Sequence, residues 1–78
     1  MATETRSLRA IALDIYDTWP EVNYAAEPYL DAMVNLASID DTYGQDRASD
    51  IARYFLANAG TWRGSDARRI KAELKGML

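Results

Sequence analysis

The stretch Leu8-Arg9-Ala10-Ile11-Ala12-Leu13-Asp14-Ile15-Tyr16-Asp17-Thr18-Trp19-Pro20 decides how the chain is read. Leu8, Ile11, Ala12, Ile15 and Trp19 recur at steps of three and four, which gathers them into one stripe of a helix. Asp14 and Asp17 lie away from that stripe. Thr3, Thr5 and Ser7 are the candidate N-caps, because a short side-chain oxygen can take up a free N–H of the first turn. Pro20 closes the segment, since the residue before a proline is pushed out of the helical region.

The same spacing continues along the chain. A second helix is expected over residues 24–38, with Ala26, Tyr29, Leu30, Met33, Val34, Leu36 and Ala37 as its wide apolar face. Asn23 is its candidate cap, and Pro28 fits only within the first turn. Asp40-Asp41-Thr42-Tyr43-Gly44-Gln45-Asp46 is a loop by composition. A third helix is expected over residues 46–59, striped by Ala48, Ile51, Ala52, Phe55 and Ala59, with Gly60 as the residue after its C-terminus. Thr61-Trp62-Arg63-Gly64 connects to a fourth helix, capped by Ser65, with Asp66 in the first turn where negative charge suits the helix dipole. Ala67, Ile70, Leu74, Met77 and Leu78 form its apolar face. No strand-like alternation competes with these stripes. The expectation is an all-α fold, a compact bundle of four short helices in one domain spanning residues 1–78.

The chain has 78 residues, room for a single core. It has neither Cys nor His, so it must do without disulfides and the usual zinc or haem ligands. Its longest apolar run is a few residues, too short to span a bilayer or to act as a signal peptide, so the expected location is the cytoplasm. The net charge of −3 conceals an asymmetry. Residues 1–46 carry nine acidic and two basic side chains, and residues 47–78 carry seven basic and three acidic. Either the halves pair with each other, or the basic half faces an acidic partner or nucleic acid.

The residue types argue against catalysis. Without His or Cys there is neither the usual general base nor a thiolate nucleophile. Asp40, Asp41 and Asp46 form the densest carboxylate cluster, yet their spacing fails the calcium-loop pattern. Gly44 would need an acidic residue five places earlier, where Ile39 stands. Helix capping and loop solvation account for the cluster, and no cofactor or metal is expected.

The fourth helix carries the strongest binding signal. At 100° per residue, Arg68, Lys71 and Lys75 fall on one flank of its stripe, Arg69 lies roughly opposite the core, and Arg63 sits just before the helix. With the third helix this has the outline of a helix-turn-helix with a basic second helix. The acidic chain, with a pI near 4.7, opposes approach to DNA. Trp19 is in register with its stripe and belongs to the core. Trp62 is either packed over the helix junction or exposed as an anchor for a partner.

Tyr54-Phe55-Leu56 with Asn58-Ala59, then Thr61-Trp62-Arg63-Gly64 and Ala67-Arg68-Arg69-Ile70-Lys71-Ala72-Glu73-Leu74, resemble a family of small orphan proteins encoded by actinobacteriophages, mycobacteriophages in particular. Pro28-Tyr29-Leu30-Asp31-Ala32-Met33 and Asp41-Thr42-Tyr43-Gly44-Gln45-Asp46 share the likeness, which runs from about Leu8 onward. The Trp-Arg-Gly connector with Ala-Arg-Arg-Ile-Lys is its most specific part. The resemblance implies a viral protein made inside an infected bacterial cell, and it assigns no activity to any residue. The functional expectation is therefore a non-enzymatic protein that binds a host or phage protein, or itself, through Trp62, Arg63, Arg68, Arg69, Lys71 and Lys75. The alternative is a DNA-binding regulator using the third and fourth helices.

Overall fold

Ser7 sets the start of the first helix. The computed structural model describes residues 6–78, so the candidate caps Thr3 and Thr5 lie outside the described residues. Ser7 Oγ accepts the backbone N–H of Ala10 at 3.1 Å and begins α1 (Leu8–Thr18). Two more free donors of that first turn are taken from a distance. Leu8 N–H donates to the Ala37 carbonyl at 3.1 Å, and Arg9 N–H donates to the Leu36 carbonyl at 3.0 Å. Leu8, Ile11, Ala12 and Ile15 are fully buried, and Trp19 follows them into the core, as the stripe requires.

α2 (Glu27–Val34) is shorter than its apolar pattern suggests, closing in a tightened turn in which the Asn35 and Leu36 N–H groups donate to the Ala32 and Met33 carbonyls at 3.0 Å and 3.1 Å and the Asn35 side chain donates to the Asp31 carbonyl at 3.0 Å. Beyond Val34 the backbone turns to meet α1 and cannot stay helical. Asp41 secures the new path, its Oδ2 accepting the N–H groups of Ala37 and Ser38, both at 3.1 Å. At the other end, Pro28 sits in the first turn as expected. Asn23 caps a preceding turn instead of the helix. Its Oδ1 accepts Ala25 N–H at 3.1 Å, and its Nδ2 donates to the Asn58 carbonyl at 3.3 Å, which ties this turn to the end of the third helix. The Tyr16 hydroxyl donates to Asp31 and links α1 to α2.

The segment expected as loop contains a small sheet, so the fold is mostly helical but not purely so. β1 (Thr42–Tyr43) pairs antiparallel with β2 (Asp46–Arg47), Thr42 opposite Arg47 and Tyr43 opposite Asp46. Gly44 makes the reversal with φ 64°, at the first central position of a two-residue hairpin turn, where an L side chain is strained. Each strand has two residues, both exposed, so no alternation of apolar and polar positions marks it in the sequence.

α3 (Ala48–Ala57) begins two residues later than expected because β2 holds Asp46 and Arg47 extended. Its buried stripe is the expected one, Ala48, Ile51, Ala52 and Phe55, with Ala59 beyond. It ends at Asn58, whose side chain donates back to the Tyr54 carbonyl at 2.8 Å. Gly60 does not adopt positive φ, so it is not the left-handed terminator the sequence suggests. α4 (Ser65–Met77) is preceded by Gly64 at φ 111°, ψ −177°. Gly64, not Ser65, is its N-cap, and no side chain caps it, because Ser65 has already turned into the helix.

α2 lies between α1 and α3, and α4 leans on α1 and α3. Trp19, Phe55 and Trp62 lock the place where α1, α3 and the last connector converge. The two indoles stack with centroids 5.2 Å apart and planes 7° apart. Phe55 meets both edge-on, at 6.2 Å and 6.5 Å. Trp62 is 4% exposed. Of the two positions expected for the connector tryptophan, the ring takes the one packed over the helix junction. Trp62→Ala is expected to lower the free energy of unfolding by about 3–5 kcal/mol, the range for emptying a large aromatic site. A urea titration followed by circular dichroism measures it, and a loss below 1 kcal/mol would place the ring outside the core. Gly64→Ala is expected to cost about 1–3 kcal/mol because this backbone conformation is essentially glycine-only. Gly60→Ala, with open space for its methyl group and no positive φ, serves as the nearly neutral control in the same assay.

Candidate basic binding site on the fourth helix

Burying Trp62 fixes what surrounds it. Its carbonyl accepts Lys71 Nζ at 2.6 Å, and the same ammonium lies 5.8 Å from the centroid of the indole ring. Lys71 is one helical turn beyond Ala67, on the face of α4 that meets the connector. It spans from helix to connector and keeps Arg63 and Gly64 close to α4. A cleft of about 460 Å³ opens there, lined by Trp62, Arg63, Gly64, Ala67, Arg68 and Lys71, with Gly60 beside them. Arg63 and Arg68 are exposed and Lys71 is half-buried. Burial, then Lys75, then Arg63 push the Lys71 ammonium below the ordinary lysine range. The cations on this flank therefore sense one another.

The opposite flank of α4 is electrostatically satisfied. Arg69 donates to Asp14 of α1 at 3.1 Å and to Asp66 at 3.2 Å. Arg6 donates to both oxygens of Glu73, at 2.9 Å and 2.6 Å, and to Asp14 at 3.0 Å. Hydrogen bonds from Arg69 and then Arg6 hold the Asp14 carboxyl below its ordinary range, and Arg6 does the same for Glu73. The acidic and basic halves of the chain do meet, in the Asp14–Arg69 pair, but that contact neutralises only one side of the helix.

The six residues singled out from the sequence therefore divide. Arg63, Arg68 and Lys71 share the cleft, and Lys75 lies one turn beyond Lys71, close enough to lower its proton affinity. Arg69 is drawn away to α1. Trp62 forms the wall of the cleft while its ring stacks inward on Trp19. Apart from Arg9 and Arg47, every cation without a carboxylate partner among the described residues belongs to the flank of Arg63, Arg68, Lys71 and Lys75. The sequence reading did not find Arg6, Asp14 or Glu73 as the network that occupies Arg69. The available signal was Asp14 itself, a charge set off the apolar stripe of α1 and so free to face a neighbouring helix.

The connector between α3 and α4 spans residues 58–64. This is longer than the three- or four-residue turn of a helix-turn-helix. In the acidic cluster, Asp41 uses one carboxylate oxygen to hold two backbone N–H groups. No helix among the described residues is long and apolar enough to cross a membrane. Comparison with known proteins finds no family model, no curated protein and no solved structure that matches the chain.

The α1–α4 network gives a pH signature. Asp14 and Glu73 have depressed proton affinity when folded, so between the folded and unfolded values the unfolded chain binds more protons. Their contribution to stability is full above the ordinary carboxylate range and is lost as pH falls through the depressed folded values. Unfolding free energy is expected to drop as pH is lowered from about 5, and Asp14→Asn is expected to make that drop shallower. Urea titrations of both proteins at successive pH values test this, and equal slopes would show that the network does not couple to folding.

Proposed function

We propose that the chain is a non-enzymatic binding domain that acts by occupancy, covering an acidic surface of a partner protein with the basic flank of α4. One observation carries this reading: Arg63, Arg68, Lys71 and Lys75 share a flank without carboxylate partners among the described residues, while Arg69 on the other flank is paired with Asp14 and Asp66. Four like charges held together repel one another, and an anionic surface relieves that repulsion. The absence of His and Cys supports a binding role over a catalytic one. The long connector and the chain's net negative charge favour a protein partner over duplex DNA. The resemblance of the connector and α4 to the actinobacteriophage orphan family supports a phage protein working in the cytoplasm of an infected bacterium, on a host or phage partner.

Affinity capture from an actinobacterial lysate, split into nuclease-treated and untreated halves, tests the proposal. The wild-type chain is expected to retain a distinct protein. The double variant Arg63→Ala, Arg68→Ala is expected to retain roughly tenfold less, since each exposed charge contributes up to about 1 kcal/mol. Retention unchanged by the double variant moves the binding surface elsewhere. Retention abolished by nuclease alone makes nucleic acid the partner.

A further inference from the structure

The basic flank borders an open cleft as well as presenting a charged surface. We infer that the cleft between the connector and α4 is a carboxylate subsite, which receives an Asp- or Glu-rich segment of the partner between Arg63, Arg68 and Lys71. This rests on the reading of the flank as a binding surface and goes further by naming the chemistry that enters it.

Three observations select carboxylate side chains. The first is preorganisation. Lys71 is already held by the Trp62 carbonyl at 2.6 Å and lies against the indole, so one cation of the subsite is in place before any ligand arrives. The second is the mixed lining. The edge of the Trp62 indole and the Ala67 methyl supply a small apolar wall beside the cations, which suits the methylene stem of Glu or Asp with its charged end toward the guanidinium groups. The third is scale. A volume of about 460 Å³ falls at the small end of ligand clefts and admits side chains of an extended segment. A duplex laid over the cleft would extend past it onto a chain of net charge −3, whereas a short acidic segment interacts mainly within the roughly 8 Å over which salt leaves charges unscreened. Lys71 adds support, because its proton affinity is lowered by burial and by Lys75 and Arg63, a condition that an entering carboxylate reverses.

The experiment is an amide chemical-shift titration of isotopically labelled protein at low salt. The probes are a capped hexapeptide alternating Asp and Glu, its Asn and Gln counterpart, inorganic phosphate, and a short DNA duplex. The inference expects the acidic peptide to shift amides of residues 60–71, the Asn and Gln peptide to shift none, and Arg63→Ala, Arg68→Ala to weaken the response at least tenfold. Phosphate or duplex shifting the same amides as strongly as the acidic peptide would overturn the carboxylate assignment and leave the basic flank standing as a binding surface. Acidic-peptide shifts centred on Arg9 or Arg47 would overturn the site. No response to any anion would overturn both the subsite and the proposed function. Concentration-dependent shifts over residues 60–71 without ligand, with a doubled sedimentation mass, would assign the cleft to a second copy of this chain.

Discussion

The stack of Trp19 on Trp62, with Phe55 edge-on to both, is the contact from which the rest of the molecule takes its arrangement. A domain of 78 residues without disulfide or cysteine chemistry has few ways to hold a connector in place. Here a connector residue is drawn into the core by the end of α1. Once the Trp62 ring is fixed, its carbonyl is fixed too, and Lys71 bonds to it. Gly64, at φ 111°, then supplies the backbone geometry that starts α4 directly behind Arg63. Core packing at one end of the bundle and the placement of cations on its surface follow from one aromatic cluster.

Charge is divided as deliberately as apolar surface. α4 is basic on two flanks, and α1 answers only one of them, through Asp14 with Arg69, while Arg6 closes on Glu73. Partly exposed ion pairs contribute little to stability one at a time, but here two arginines and three carboxylates form one network that ties α4 to α1. Arg68, Lys71 and Lys75 take no part in it. The surplus of positive charge in residues 47–78 is therefore concentrated beside the connector and is not dispersed over the molecule.

All four helical stripes were legible in the sequence, because periodicity reports burial: Ile11, Ile15, Leu30, Met33, Ile51, Phe55, Ile70 and Leu74 are all in the core, while Ala37 and Leu78, at the ends of their stripes, are exposed. What the sequence concealed depends on long-range bonds. α2 stops at Val34 in a tightened turn, and the Leu36 and Ala37 carbonyls beyond it accept from the first turn of α1, a contact that no local pattern announces. The hairpin at Gly44 is too short to alternate. Ser65 has the composition of an N-cap, yet Gly64 occupies the position. Trp62 was ambiguous because its stacking partner is far along the chain, and ring burial depends on that partner. The basic residues of the candidate site were visible by helical spacing, but their division into an engaged flank and a free one required Arg6 and Asp14, which spacing within α4 does not show.

The arrangement of the cleft depends on Trp62 being buried against Trp19, so that only the edge of its indole reaches the wall between the cations. A two-dimensional nuclear Overhauser spectrum of the protein in solution measures this contact directly. Cross-peaks are expected between the ring protons of Trp19 and Trp62, and from both rings to Phe55. A Trp62 ring that shows no contact with either partner would contradict this packing and return the tryptophan to the binding surface.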